Sequence, residues 1–493
     1  MKFLLDTNAI IPAEPTRPAD VEPTTPVVAS LIGLIAEGRH QAFIHPVSKW
    51  ELEQDRDDLR RTVRAQLLAK YPLLPSPPTQ ATRVEKVIGA TRSETNDARD
   101  NLLIEAILAE AVDYFVTNDI GIHKKAARLG VGERIVRPED AVTIIRGLFR
   151  VSTEPPPAVE RVLCHELDGD DPIFTPFRLS YGRADFNEWL SKCKRDHRLA
   201  WVVRQTAGSE NLAGLCIVKD EQAREHGLEG TLLKICSFRV ADDARGYRFG
   251  ELLLKAVFQH AHKNNYDWTY VEVFPSVIEL IELFEQFGFE QTANATHRGE
   301  IVLAKPLRYT RQEYANTKPL DFNRRFGPLV LKTDGAEAFM VPIQPHNHDL
   351  LFPEEATQTA LFAGRHPFGN SILKAYLCNA QIRKIEPGSV LVFYRSRGRQ
   401  EFRCTGVAED VKVSRDALDV ARFVGKRTVY SYSDIEKMCS REVLAILFRQ
   451  SLTLHPPVAL GELIANGGVA GVPQSITKLK EKGKEWLATK LSR

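Results

Sequence analysis

The sequence predicts an α/β protein of several domains: a mainly parallel sheet, then a mixed α+β domain, then a small β-rich domain. Three observations predict it. The chain has 493 residues, and single cores stop growing at about 250–300 residues. Over the first 150 residues short apolar runs alternate with helix-length amphipathic ones, the pattern of a parallel sheet. After Pro155-Pro156-Pro157 the pattern changes to strands around a strand–glycine loop–helix junction, and the end of the chain is β-rich and basic. The expected domains are 1–150, 158–308 and 336–493.

Composition excludes several classes. The chain is 43% hydrophobic and 26% charged, and no run of 18 apolar residues supports a membrane span. Asp6 interrupts the one candidate leader segment, so no secretory signal is expected. The seven cysteines are scattered with no CxxC pair, which predicts reduced thiols in the cytoplasm. Lys and Arg less Asp and Glu gives −1 over residues 1–150, −5 over 151–308 and +8 over 309–493. The last third is therefore a candidate nucleic-acid face, although a solvated surface has the same charge.

In chain order, Met1–Leu5 reads as a buried strand ending at Asp6. The proline-bearing stretch Pro12–Pro26 reads as a loop, Val27–Ala36 as a helix, Gln41–His45 as a strand and Val47–Lys70 as one long helix carrying Glu51. The prolines of 71–78 break that helix. Asn101–Val112 is an apolar helix, Val112–Thr117 a second strand ending at Asn118-Asp119, and Ile122–Leu129, Arg134–Val136 and Pro138–Leu148 close the unit. Asp6, Glu51, Asp100 and Asp119 thus fall at strand ends or helix starts. Sites in open α/β sheets lie outside the carboxyl ends of strands. Close carboxylates repel unless a cation neutralises them, and all-oxygen ligands favour Mg²⁺ or Mn²⁺. Each acid also has a plain reading as a helix cap or dipole partner.

Residues 1–146 resemble the PIN-domain ribonucleases: Leu4-Leu5-Asp6-Thr7-Asn8 matches the opening motif, Glu51-Leu52 the Glu-Leu pair, Asp100 the acid before an alanine-containing helix, and Thr117-Asn118-Asp119 the closing strand. The resemblance implies a doubly wound parallel sheet and a metal held by Asp6, Asp100 and Asp119, with Glu51 completing the site, and Asp97 as rival or auxiliary acid. It implies RNA as substrate and, were the protein the toxin of a pair, an antitoxin-like partner.

In the middle domain the expected strands are Phe177–Ser180, Ala200–Val203, Leu212–Val218, Leu232–Val240 and Thr269–Phe274, with helices at Arg183–Lys194 and Glu251–His262 and a turn at Gly208–Asn211. The loop Arg245-Gly246-Tyr247-Arg248-Phe249-Gly250 joins a strand to a helix, where free N–H groups and the helix dipole can hold a pyrophosphate. Two glycines can equally just make the turn. This segment resembles the acetyl-CoA motif of the GNAT acetyltransferases, and Leu283-Phe284-Glu285-Gln286-Phe287-Gly288-Phe289 resembles their closing turn. The resemblance implies acetyl-CoA as cofactor. Arg248 departs from it where a glycine is usual, and Phe284 stands where many members carry a tyrosine acid. Glu272 is the best candidate for a general base.

In the last third, Pro345-His346-Asn347-His348 reads as an extended segment with both histidines on one side, and no third ligand for zinc accompanies them. The segment His366–Lys374 fits either a helix or a strand. Ile385–Tyr394 reads as a turn and strand and Phe402–Val413 as the returning strand, with Arg395, Arg397, Arg399 and Arg403 at the hairpin tip as candidate RNA contacts. The turn-strand Pro387-Gly388-Ser389-Val390-Leu391-Val392-Phe393-Tyr394 resembles the PUA-like superfamily with its ASCH and EVE groups, which implies a small β-barrel and RNA binding. A helix-capable tail, Ser475–Arg493, adds Lys478, Lys480, Lys482 and Lys484.

The expected function is a Mg²⁺- or Mn²⁺-dependent endoribonuclease with an acetyl-CoA-binding domain and an RNA-recognition module. The alternative is an acetyl-CoA-dependent N-acetyltransferase acting on RNA, aminoacyl-tRNA or protein, with the first domain as scaffold. A non-catalytic binding protein is the third class.

Overall fold

The structure, a computed structural model, describes residues 1–16, 21–92, 95–149, 159–204, 211–222, 226–352, 371–396 and 400–491. The linker 151–158, most of the turn at 208–211, residues 366–370 and the arginines Arg397 and Arg399 lie outside them. The chain divides into two compact units: Met1–Val151 with Arg245–Tyr247 and Arg415–Cys439, and Ser152–Ala244 with Arg248–Ser414 and Ser440–Arg493. No described helix is long and apolar enough to cross a membrane.

The first unit is built on β1 (Lys2–Leu5), β2 (Gln41–Ile44), β3 (Tyr114–Val116) and β4 (Ile135–Val136), ordered β2-β1-β3-β4 and all parallel. Apart from Lys2 and Gln41 at the starts of β1 and β2, its strands are apolar because helices cover the sheet, and Leu4, Phe115, Ile104 and Ile107 meet in one buried cluster. The expected helix Val47–Lys70 is two helices, Pro46–Glu53 and Asp58–Leu68. Asp57 caps the second by accepting from Arg60 N, and Asp55 is gripped by Arg60 and Arg64, so the local polar bonds favour a break. The helix expected at Asn101 starts a turn earlier, at Asn96, because Thr95 supplies the N-cap. Part of the expected loop 12–26 is helix: Pro12 lies within Thr7–Ala13.

Residues Arg415–Cys439 fold onto this unit. Arg422 binds Asp113 and Glu110, Arg427 binds Glu133 at 2.9 Å, and the buried Tyr114 hydroxyl donates to Ala421 O at 3.4 Å.

The second unit holds two sheets. Strands β5 (Val159–Leu163), β6 (Leu199–Arg204), β7 (Leu212–Gln222), β8 (Thr231–Val240), β9 (Trp268–Val273), β10 (Glu290–Ala295) and β11 (Ile301–Pro306) run in the order β10-β11-β9-β8-β7-β6-β5. Every neighbouring pair is antiparallel except β8 and β9. The strand expected at 177–180 is instead the helix Thr175–Tyr181, with Pro176 in its first turn. Phe177 stacks on Phe186 of the next helix, Arg183–Arg195, which an isolated strand could not arrange.

The second sheet contains β12 (Ala338–Ile343), β13 (Leu373–Cys378), β14 (Val390–Arg395), β15 (Glu401–Ser414), β16 (Val443–Ala459) and β17 (Thr477–Lys478), ordered β13-β16-β15-β14-β12-β17. It runs from β13 to β17 with no pairing between those two among the described residues, where a closed barrel was expected. Residues Pro345–Leu351 form a helix, not an extended segment, so His346 and His348 point apart and His348 alone is buried. Proline at the first helical position fits this start. Gly388, at φ +92, makes the turn before β14.

Candidate active site

The parallel register of β8 and β9 runs from Leu232↔Trp268 to Ile235↔Val271 and ends there. Beyond it the strands diverge, and a cavity of about 790 Å³ opens beside the gap. Backbone groups along the diverging edges need partners, which an extended ligand arm can supply as an added strand would. Phe177, Tyr181, Phe186 and Trp189 form one wall. Both of the helices that carry them follow from proline and glycine signals at Pro176 and Gly182, the latter at φ +87.

The same cavity is lined by a series of paired charges. Glu272, the first β9 residue past the last register pair, accepts Lys234 Nζ at 2.7 Å and His226 Nε2 at 2.8 Å. Lys219 binds Glu221 at 2.7 Å, and the Tyr270 hydroxyl also binds Glu221. Burial opposes the charge on Glu221, yet Lys219 and Tyr270 together hold its carboxyl below the usual range. Nearer the β10–β11 turn, Tyr181 donates to Glu300 at 2.6 Å, and burial and this bond push the phenol up. Sequence reasoning found Glu272 but missed His226, Tyr181 and Glu300. No motif flags them, and Tyr181 directly follows the segment Phe177–Ser180 that was read as strand.

Phe284 is fully buried, edge-on to Phe238 and Phe289, so it is a core residue. The loop Arg245–Gly250 is held in two parts. Within the first unit Thr143 donates to Gly246 O at 2.7 Å, and Arg146 lies 4.4 Å over the Tyr247 ring. A Cβ on Gly246 would meet Glu139 O at 3.0 Å. Within the second unit Arg248 is the N-cap of the helix Phe249–Lys263 in the left-handed conformation, φ +61, where a glycine would sit without strain. Its guanidinium pairs with Glu251 at 3.1 Å. Phe249 is buried in the first turn, and Gly250 is small because a Cβ would press Leu283 at 3.0 Å.

In the first unit Asp6 accepts from Thr7 N at 2.7 Å and from Thr117 Oγ1 at 2.6 Å. Asp119 accepts from Ile122 N at 2.9 Å. Both are therefore helix N-caps, as their plain reading had it. Three of the acids nevertheless feel others of the set: Asp6 feels Asp119, Glu51 feels Asp6, and Asp100 feels both Asp6 and Asp119. Burial raises Asp6, and Asp119 adds repulsion. Burial raises Glu51 against the pull of Arg99, and Asp6 raises it further. Asp100 is pushed up to about 6 by burial, with Asp119, Asp6 and Asp97 adding repulsion against Lys125. Protein cations already sit among them: Lys125 Nζ is 2.5 Å from Asp97 and 3.9 Å from Asp100, and Arg99 is 3.5 Å from Glu51. Among the described residues no three His, Cys, Asp or Glu side chains are set to share a metal ion. The residues as placed do not fit a divalent cation.

In the second sheet Arg395 pairs with Asp349 at 3.2 Å, and Arg403 lies on β15. Lys478 is bound by Glu337 at 2.8 Å.

Residues 165–289 match the family model described as the acetyltransferase (GNAT) family. The chain therefore carries a GNAT acetyltransferase domain, in the sheet that holds the cavity. A search of curated proteins finds no match. Among solved structures, an acetyltransferase of the GNAT family from Staphylococcus aureus is 13% identical, covering 31% of this chain and 100% of its own at a TM-score of 0.24. An ASCH structure from Zymomonas mobilis is 13% identical, covering 31% of this chain and 94% of its own, also at 0.24.

Proposed function

We propose that the protein transfers an acetyl group from acetyl-CoA to a primary amine, on RNA, aminoacyl-tRNA, a protein or a smaller molecule. The observation that carries this reading is the divergence of β8 and β9 into a cavity within the segment that matches the acetyltransferase family. The diverging backbone of Cys236–Val240 would hold an extended amide-bearing arm, and Arg248 would add positive charge near its phosphates. Acetyl-CoA supplies an activated acyl thioester. The aromatic wall excludes water and receives the acceptor's apolar body, while the carboxylates of the same cavity attract its ammonium. Isothermal calorimetry of the full chain with acetyl-CoA tests this reading. Binding that coenzyme A shares and adenosine alone does not is the expected result; no detectable binding refutes it.

A second reading rests on the convergence of Asp6, Glu51, Asp100 and Asp119. In it the first unit is a PIN-type ribonuclease, the basic last third faces the RNA, and the compartment is the cytoplasm. What supports it is that three of these acids are held above their usual range by burial and by one another. A Mg²⁺ or Mn²⁺ ion would have to displace Lys125 and Arg99 from them. RNA cleavage by the full chain with Mn²⁺ against EDTA, beside Asp6→Asn, decides it. Cleavage that survives Asp6→Asn in a contaminant-free preparation refutes it.

A further inference from the structure

The antiparallel ladder of β5 and β6 ends at the register pair Leu163↔Leu199, and one more backbone bond follows, from Cys164 N to Arg198 O at 2.8 Å. Two residues beyond that pair, one on each side, stand His165 and His197. In an antiparallel ladder a step of two brings the next opposed side chains to the same face. The register thus sets the two imidazoles against each other, with their Nδ1 atoms 3.2 Å apart. Both residues are exposed.

The separation fits a shared ion. Imidazole nitrogens bind zinc at about 2.0–2.1 Å, and a tetrahedral ion so bound holds two of them about 3.3 Å apart. The rings are edge-on, with an interplanar angle of 86° and centroids 5.1 Å apart. Rings in line with a straight N–H···N bond would stand further apart, so at least one leans off that line, as ligands of one ion must. His197 also breaks a local rule. It follows the helix Arg183–Arg195 in the left-handed region at φ +49, in the position that glycine usually takes. Its N–H donates to Lys194 O at 3.2 Å and that of Arg198 to Cys193 O at 3.1 Å, so the backbone fixes where the ring starts. A disfavoured residue held in place by its surroundings is characteristic of a functional position.

We propose that His165 and His197 are the two protein ligands of a surface site for a divalent ion of the zinc, nickel and copper class. Imidazole suits these ions, whereas Mg²⁺ prefers oxygen. Without the ion, one ring donates its Nδ1 hydrogen to the other. With it, that hydrogen moves to Nε2 and both Nδ1 lone pairs meet the metal. Water fills the remaining positions, because among the described residues no third His, Cys, Asp or Glu is placed to join. The neighbouring charges have partners of their own: Glu166 accepts from Leu163 N at 2.7 Å, Asp196 holds Arg198 at 3.0 Å, and Lys194 donates to Leu167 O at 2.8 Å. Burial pushes the Cys164 thiol up to about 12 and the Cys193 thiol up to about 11, so neither is a ready thiolate ligand. The ion would clamp β5, the edge strand of the seven-stranded sheet, to β6. The site is independent of both acetyl transfer and RNA cleavage.

The test uses the untagged full chain, stripped with EDTA and dialysed, with ZnCl₂, NiCl₂ or MgCl₂ as the probe. Calorimetry at pH 7.5 counts the ions bound, and ¹⁵N side-chain spectra of the wild type identify the ligating nitrogens. The expected result is that the wild type takes up one Zn²⁺ or Ni²⁺ more than the double variant His165→Ala/His197→Ala, with no such difference for Mg²⁺. Loss of an outer-shell partner already costs about 10–100-fold in metal affinity, so His165→Ala or His197→Ala alone should cost at least that at this site. Protons compete for the same nitrogens, so the extra uptake should weaken at pH 5.5. In the spectra Zn²⁺ should shift Nδ1, not Nε2, of both rings. It should also raise the urea midpoint of the second unit in the wild type and leave that of the double variant unchanged. Equal uptake by wild type and double variant, a shift confined to one ring or to Nε2, or no uptake at all would each overturn the proposal. The wild-type spectra decide independently of whether the variants fold.

Discussion

Replacing Glu251 by alanine should loosen the second unit more than any exposed change can. Its side chain is 2% exposed, at the third position of the helix Phe249–Lys263. One carboxylate oxygen accepts from Ser371 Oγ at 2.5 Å, Ile372 N at 3.0 Å and Leu373 N at 3.4 Å, where β13 begins. The other takes Arg248 at 3.1 Å. Ser371 and Ile372 are each 1% exposed, so water cannot replace the lost acceptor. A buried donor left without a partner costs about 1–3 kcal/mol, and removing one member of a buried ion pair about 3–5 kcal/mol. These overlap, so the expected loss is about 4 kcal/mol. Trp189, Trp201, Trp268 and Trp486 all lie in this unit, so tryptophan fluorescence in urea reports on it. At a slope of about 3 kcal/mol per molar urea, the midpoint should fall by more than 1 M on that scale. Glu251→Gln keeps one acceptor and should lose about half as much. A midpoint shift in Glu251→Ala below about 0.3 M would show that the carboxylate is not what holds the start of β13.

Three further outcomes follow from the same kind of reasoning. Gly288→Ala places a Cβ 2.0 Å from Arg324 O and 2.8 Å from Lys305 Nζ at φ +86, where alanine is strained even in open space. It should cost about 3 kcal/mol or more, read by the same urea titration, and a neutral result would refute the close approach. Arg422→Met leaves Asp113 buried without its cation and should destabilise the first unit by about 3–5 kcal/mol. Trp50, the tryptophan of that unit, reports the change, and the double variant with Asp113→Asn should recover part of it. Asp100 titrates at about 6 in the folded protein against 3.8 unfolded. Its contribution is fully present below about pH 3.8 and is lost as pH rises through 6. Asp100→Asn should therefore flatten the decline of first-unit stability between pH 4 and 7; an unaltered slope would refute the shared acid cluster.

Much of the first unit was legible because its strands are short apolar runs that end at acids, and Asp6 and Asp119 cap the helices their positions suggested. Glu272 was legible as an acid on a central strand. Its partner His226 was not, because the loop between β7 and β8 carries no periodic pattern and the pairing spans strands that only the fold brings together. Thr175–Tyr181 and Pro345–Leu351 were misread for one reason. Each is a single helical span of seven residues, too short to show a period against its flanking apolar residues, and the proline that starts each one was the stronger signal. Arg248 was read as a departure from a glycine pattern, and the structure gives it the backbone conformation that glycine would have taken. Glu251 entered only as the first residue of the expected helix Glu251–His262, because its role at β13 depends on residues more than a hundred positions away.

The segment Arg415–Cys439 gives the first unit an unusual history during synthesis. Met1–Val151 emerges first, but the arginine that neutralises Asp113 and the backbone that meets Tyr114 are encoded beyond Arg415. At about 5–20 residues per second, tens of seconds pass before the ribosome delivers them. Until then Asp113 and Tyr114 lack Arg422 and Ala421, partners that the finished molecule gives them. The unit that Met1–Val151 begins is thus completed only after Arg415–Cys439 is made, and a nascent chain released before Cys439 would lack part of it.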